Sequence, residues 1–224
     1  RLIGDEIQAY SPELVGNILY ALWAVTKLGG KFAIVTATFP KCLKPLITEL
    51  GIEMEDCGRP FCGPVPIRHR MKLAMGTEFD WKQIAEQGRK KKVLVICNTV
   101  MHAQQAYDRL SELHENVRLI HGSFLRKDRR RLEAEIQVFA PNGEERSAEN
   151  GIWVATQVVE ASLDIDFDLL YTEAASIESL LQRMGRVYRC RPYDLGEEPN
   201  VIVLLNGNIG NPKIPIIDPE IYDY

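Results

Sequence analysis

Between Gln182 and Arg189 the chain reads Gln-Arg-Met-Gly-Arg-Val-Tyr-Arg, and the spacing of its cations is suited to chemistry. Arg186 and Arg189 stand three apart, so a helix would project both guanidiniums from one face, with Gln182 one turn earlier on that face. Two planar cations side by side suit the charge that spreads over a phosphoryl group in transfer. Gly185 falls inside the same stretch, where glycine costs up to ~1 kcal/mol in a helix. Close approach of the backbone to a phosphate would account for it, whereas a plain solvated basic helix leaves it unexplained.

A second candidate opens the chain, Leu2-Ile3-Gly4-Asp5-Glu6-Ile7-Gln8. An apolar strand ending in paired carboxylates puts both acids at the carboxyl edge of a sheet, where α/β proteins bind ligands. Asp5 could hold Mg²⁺ and Glu6 could orient a water for attack on a phosphate. A motif this short reads more readily as a surface turn. Further on, Thr36-Ala37-Thr38 closes another strand, and its hydroxyls could bond the acids, face a nucleic acid or cap a helix. In Ala155-Thr156-Gln157-Val-Val-Glu160-Ala-Ser162-Leu163-Asp164-Ile165-Asp166, the Thr156 hydroxyl stands at a strand end, within reach of a phosphate. Asp164 could meet a ribose hydroxyl or steady an arginine.

The elements that must position these groups alternate. Strands are expected at 32–36, 93–97, 117–121, 152–156, 168–172 and 201–205, and helices at 12–28, 100–114, 127–140 and 176–189. This pattern predicts an α/β fold with parallel sheets flanked by helices. The run Cys57 to Pro66, rich in proline and glycine, breaks helix and strand alike and reads as a linker. The segment 141–151 reads as a flexible polar excursion.

Bulk composition excludes several classes. Of 224 residues, 46% are hydrophobic and 26% charged, as in an ordinary globular chain. No apolar run reaches the roughly 20 residues of a membrane helix, and a cytoplasmic protein is expected. The net charge of −4 argues against general polyanion binding, and positive charge gathers at 89–92, 126–131 and 183–191. The first of these runs reads as a solvated helix face. Five scattered cysteines fit a reducing compartment. Cys57, Cys62 and His69 fall short of the four ligands of a structural zinc site.

Taken in order, Asp-Glu-x-Gln, Thr-Ala-Thr, Ala-Thr…Leu-Asp and Gln-Arg-x-Gly-Arg-x-x-Arg resemble motifs II, III, V and VI of superfamily 2 helicases, across nearly the whole chain. A narrower resemblance is to the CRISPR-associated helicase of type I systems. It rests on Asp5 to Tyr10, Ala155 to Asp166, Ser179 to Arg186, His121-Gly122-Ser123-Phe124 with Arg126, Asp128 and Arg129, and the tail Ile214 to Asp223. Gln8 stands where that family more often has His. Gly4 interrupts the first strand, and Ser162 replaces a glycine common in other helicases.

The resemblance implies a tandem RecA-like core, with residues 1–64 the end of the first lobe and 65–224 the second lobe running into a C-terminal extension. It implies ATP and Mg²⁺ as cofactors, with ATP held by Asp5, Glu6, Gln8, Ser162, Asp164, Arg186 and Arg189 and with Gln182 beside the reacting phosphate. Thr36, Thr38, Asn98, Thr99, His121, Gly122 and Thr156 would contact single-stranded DNA, translocated 3′ to 5′. The implied partners are a guide-RNA surveillance complex and a His-Asp nuclease, fused or separate. No G-x-x-x-x-G-K-[ST] loop is present, and Arg1 opens directly on a strand. A chain trimmed upstream is therefore expected, with the phosphate loop lying before Arg1 and this piece alone a poor ATPase. An RNA helicase and an inactive helicase-like adaptor remain as alternatives.

Overall fold

The computed structural model describes residues 1–7, 10–36, 39, 42–55, 67–143, 146–160, 163–194 and 196–205. Gln8, Thr38, Cys57, Cys62, Ser162 and the tail resemblance at Ile214 to Asp223 lie outside the described residues. Two compact units divide the chain, Arg1–Pro64 and Val65–Tyr224.

The first unit contains β1 (Leu2–Asp5), α1 (Pro12–Lys27), β2 (Phe32–Val35) and α2 (Leu43–Glu49). β1 and β2 pair in parallel, Leu2 opposite Phe32 and Asp5 opposite Val35. Ser11 caps α1 by accepting from the Leu14 amide, and Pro12 occupies the first turn, where its missing N–H costs nothing. Leu19 and Leu22 of α1 are buried together with Ile47 and Ile52.

The second unit contains β3 (Met71–Met75), α3 (Trp81–Gly88), β4 (Lys92–Ile96), α4 (Val100–Ser111), β5 (Val117–Ile120), α5 (Arg126–Phe139), β6 (Gly151–Ala155), β7 (Leu169–Glu173), α6 (Ile177–Met184) and β8 (Val201–Leu205). They build one six-stranded sheet in the order β3-β8-β7-β4-β6-β5. Every pairing is parallel. Period-two alternation sends neighbouring residues to opposite faces. Leu94, Ile96, Trp153, Ala155 and Leu170 face one layer with Ile136 and Phe139 of α5. Val93, Val95, Ile152, Val154 and Leu169 face the other with Ile84 of α3 and Ala103, Ala106 and Leu110 of α4. Apolar burial on both faces is why these strands read as near-continuous hydrophobic runs.

Three expectations are corrected. The helix expected over 176–189 ends at Met184, with Gly185 as its C-cap. The Arg186 amide then bonds the Arg183 carbonyl and the Val187 amide bonds the Met184 carbonyl, tightening the last turn. Beyond it Val187 bridges in parallel to Phe167, so the chain leaves the helix to lie along 165–168. The expected excursion at 141–151 is anchored at several points. Pro141 bridges to Ile165, Arg146 pairs with Asp166 and Asp168, and Glu149 pairs with Arg118. Within the basic run 89–92, Lys92 is no solvated side chain. It opens β4, is 2% exposed, and its ammonium bonds the Glu149 carbonyl and sits over the Phe139 ring. β3, α2 and α3 were not anticipated from sequence. Among the described residues no helix is long and apolar enough to cross a membrane.

Gly151 shows how tightly the strand starts are packed. A Cβ there would meet the Asn116 side chain at 2.6 Å and the Asn116 carbonyl at 2.8 Å. Backbone cannot yield as a side-chain tip can. Gly151→Ala is expected to cost about 1–3 kcal/mol, read as a lower urea midpoint at unchanged slope. A midpoint equal to that of the parent would show that the strand start repacks freely.

Candidate functional site

In the first unit, parallel pairing brings two of the predicted groups to one sheet edge. The Glu6 amide continues the ladder to the Val35 carbonyl, and the Thr36 hydroxyl donates to Glu6 Oε2 at 3.3 Å. Glu6 adopts φ 48°, a left-handed conformation that costs a non-glycine residue roughly 1–2 kcal/mol. Such strain is held where surrounding bonds over-determine it, often at functional sites. Asp5 is exposed beside it. Among the described residues no cluster of three or more His, Cys, Asp or Glu could cage a metal. Asp5 and Glu6 nevertheless fit Mg²⁺, which keeps most of its waters and takes one or two carboxylates together with phosphate oxygens.

In the second unit β4, β6 and β5 are adjacent and parallel, so the residues just past their carboxyl ends form a row along one edge. Asn98-Thr99 lie past β4, Thr156 past β6 and His121-Gly122 past β5. Thr99 caps α4 by accepting from the His102 amide at 3.1 Å, which leaves its hydroxyl proton free to donate. Thr156 is buried and makes no side-chain capping bond. The His121 ring stacks on Phe124 at 4.2 Å and accepts the Ser123 amide at Nδ1. Burial lowers its pKa, so the ring is neutral at physiological pH with its proton on Nε2, a donor. Gly122 is open, with nothing within 4 Å of an added Cβ.

Asn98 departs from the expectation of a side chain offered to a strand. It is 8% exposed. Its Nδ2 donates to the Ala174 carbonyl and its Oδ1 accepts from Arg183. The Asn98 amide donates to Glu173 Oε2 at 2.6 Å, and the Asn98 carbonyl accepts from Gln157 Nε2 at 2.8 Å. Asn98 is therefore the hub of an internal network. Its other centre is Arg183, 1% exposed. Nε of Arg183 donates to Glu160 Oε1 at 2.7 Å, and its two terminal nitrogens reach the Thr172 hydroxyl, the Glu173 carbonyl and Asn98. Glu173 Oε1 ends the network at His102 Nδ1, 2.8 Å away. The roles of Glu160, Thr172, Glu173 and Arg183 were not legible in the sequence. A charged Glu173 closing the apolar run Leu-Leu-Tyr-Thr was the available signal.

The two predicted arginines do not share a helical face with Gln182, which remains on α6. Gly185 caps α6 in a right-handed conformation, φ −62°, open to any residue, and a Cβ there would lie 3.2 Å from the Gln182 carbonyl oxygen. Arg186 and Arg189 are nonetheless brought beside the loop after β6. Arg186 Nη1 donates to the Leu163 carbonyl at 2.6 Å and Nη2 to the Glu160 carbonyl. Its Nε is buried without a partner, an orphan donor that an anionic oxygen would satisfy. Burial, then the Arg189 charge, lower its pKa, without bringing an arginine near neutrality. Arg189 pairs with Asp164 at 3.3 Å, and Asp164 also accepts from Asn142. Steadying an arginine, one of the two roles open to Asp164, is seen in this pair.

Residues 89–192 match the family model of the CRISPR-associated nuclease/helicase Cas3, C-terminal. The CRISPR-associated nuclease/helicase Cas3 of Methanothermobacter thermautotrophicus is 30% identical over 223 residues, covering 92% of this chain and 26% of the relative. The crystal structure of T. fusca Cas3 with AMPPNP superposes with a TM-score of 0.76 at 22% identity, over 91% of this chain and 30% of that one. A chain of a CRISPR RNA-guided surveillance complex in a pre-nicking state gives 0.71 at 22% identity, over 91% and 31%. The chain spans about a quarter of the length of the curated relatives it matches. With parallel sheets flanked by helices and motif residues along their carboxyl edges, the chain belongs to the Cas3 family of CRISPR-associated superfamily 2 helicases.

Proposed function

We propose that the protein carrying this chain is an ATP-dependent single-stranded DNA translocase of type I CRISPR interference, acting in the cytoplasm. A guide-RNA surveillance complex recruits it to opened invader DNA, which it unwinds for degradation by a His-Asp nuclease, fused or separate. Unit 1–64 is the end of the first RecA-like lobe, and unit 65–224 is the second lobe with the start of a C-terminal extension. The observation that carries the reading is the row formed past the ends of three adjacent strands by Thr99, Thr156 and His121-Gly122, with the Asn98 side chain turned inward behind it. It presents hydroxyl, imidazole and backbone donors to a phosphate track without reading base edges, as sequence-independent strand binding requires.

Mg²⁺ at Asp5 would neutralise charge on the β- and γ-phosphates of ATP. Glu6, fixed by the Thr36 hydroxyl, would orient the attacking water and take its proton. Arg186 and Arg189 would stabilise the charge gathering on the transferred phosphoryl group. Gln8, Ser162 and Thr38 keep their proposed roles at the nucleotide and at the strand.

The test is ATP hydrolysis by the full-length protein with Mg²⁺, comparing no nucleic acid, single-stranded RNA and single-stranded DNA. Stimulation by DNA alone is expected. Stimulation by RNA would point to a helicase of RNA, which offers the 2′-hydroxyl. No hydrolysis under any condition would leave an adaptor.

A further inference from the structure

Two arginines outside the helicase motifs close a ring with two aspartates directly beneath the Arg186–Arg189 segment. Asp166 Oδ2 accepts from Arg146 Nη1 at 2.9 Å and from Arg191 Nε at 2.8 Å. Asp168 Oδ1 accepts from Arg146 Nη2 at 2.8 Å and from Arg191 Nη2 at 2.6 Å. Each guanidinium thus spans both carboxylates, and the ring is neutral as a whole. The Asp166 side chain is only 3% exposed, so its charge is worth holding only because it is fully bonded. Its second oxygen accepts the backbone amide of Arg189 at 3.1 Å. The second oxygen of Asp168 accepts the Lys92 amide at 2.8 Å, tying the ring to the first residue of β4.

The segment that carries the arginines needs this support. α6 has ended at Met184 and its last-turn bonds reach only to the Val187 amide, so no helical ladder fixes the backbone from Tyr188 onward. Phe167 instead donates to the Arg186 carbonyl and accepts from the Tyr188 amide. Tyr188 is held at φ 49°, with the Arg191 guanidinium stacked 3.7 Å from its ring centroid. Arg189 lies between that stacked tyrosine and the clamped Arg191, with its own amide on Asp166.

We propose that Arg146 and Arg191 are positioning residues for Arg189 in ATP hydrolysis, an inference that rests on the reading of the protein as an ATPase. They lie outside the groups assigned above to nucleotide and strand, and their own bonds go to Asp166, Asp168 and the Phe167 carbonyl. Their effect runs through Asp166 and the backbone, and it matters because a misplacement of about 1 Å at a reacting centre can cost roughly 10²-fold in rate.

The experiment uses the full-length protein with single-stranded DNA and compares wild type with Arg191→Gln, Arg191→Lys and Arg146→Gln. Arg191→Gln is expected to lower kcat by about 10²-fold. KM for ATP and the affinity for a hydrolysis-resistant ATP analogue are expected to stay within about threefold, the signature of an interaction that acts in the transition state. Arg191→Lys is expected to restore little of the rate, because an ammonium cannot bridge two carboxylates as a planar fork does. A kcat within twofold of wild type for Arg191→Gln, or full rescue by Arg191→Lys, overturns the proposal. If Arg191→Gln does not yield folded protein, Arg146→Gln decides, since one side of the ring then opens while Arg191 still spans both aspartates. A fall of about tenfold in kcat at unchanged analogue affinity is expected for it, and none overturns the proposal. A wild type that hydrolyses no ATP removes the functional reading itself, an outcome separate from these.

Discussion

Arg183→Ala is expected to destabilise the second unit by about 3–5 kcal/mol, because it strands a buried carboxylate and not merely a contact. Glu160, at 9% exposure, would lose the Arg183 Nε bond. The Thr172 hydroxyl and Asn98 Oδ1 would lose a donor at the same time, while the Glu173 carbonyl would keep only the Thr172 hydroxyl. For a domain of this size each kcal/mol lowers Tm by about 2–4 °C, so thermal unfolding reads the effect directly. Arg183→Lys is expected to recover only a small part, since one ammonium cannot serve acceptors arranged around a planar fork. Removing both buried charges, in Arg183→Met with Glu160→Leu, is expected to be milder than Arg183→Ala alone, because no uncompensated ion remains. A loss below about 1 kcal/mol for Arg183→Ala, the range of an exposed pair, would contradict a buried network. Function is affected because of where the network ends. Gln157 bonds the Asn98 carbonyl next to Thr99 and Thr156 of the proposed strand-facing row, and Glu160 carries the carbonyl that Arg186 grips. Loosening Arg183 therefore disturbs both sets of groups together.

Arg189→Ala is expected to reduce ATP hydrolysis by the full-length protein by about 10³-fold or more while leaving single-stranded DNA binding intact, the magnitude seen when an arginine that meets the transferred phosphoryl group is removed. Its side chain is 37% exposed and, among the described residues, holds only the ion pair to Asp164, itself 62% exposed. Exposed pairs of this kind are worth at most ~1 kcal/mol, so the arginine can leave Asp164 for a phosphate at little cost. Stability should change by well under the effect of Arg183→Ala, which separates a catalytic defect from an unfolded protein. Turnover and strand binding measured side by side check the prediction. Hydrolysis at the wild-type rate would remove Arg189 from the reaction.

Much of this architecture was legible in the amino-acid order. Apolar runs at Val93, Ile152 and Val201 could only be strands buried on both faces, and alternation with helical spacing implied a parallel sheet. The acidic pair, Thr36, Thr156 and the arginine cluster could be picked out because phosphate chemistry needs those residue types at strand and helix ends, and local order places them there. β3 escaped notice because it is an edge strand, with Met71, Leu73 and Met75 more than half exposed, so no period-two burial marked it. α3 is a short amphipathic turn whose Ile84 and Ala85 are buried only once α4 lies beside it.

Where each element ends was a different matter. Residues 176–189 keep helical spacing, yet the helix stops at Met184 because Phe167 offers the backbone beyond it a better set of bonds than another turn would. Only the folded chain brings Arg146 next to Arg191 across Asp166 and Asp168, or Asn98 next to Arg183. These pairs are separated by dozens of residues and have no local period to announce them. Amino-acid order determined which side chains could handle a phosphate and which sheet edge would carry them. Tertiary structure alone decided which arginine is buried as a brace and which remain near the surface, because that depends on desolvation and on partners that sequence neighbours cannot supply.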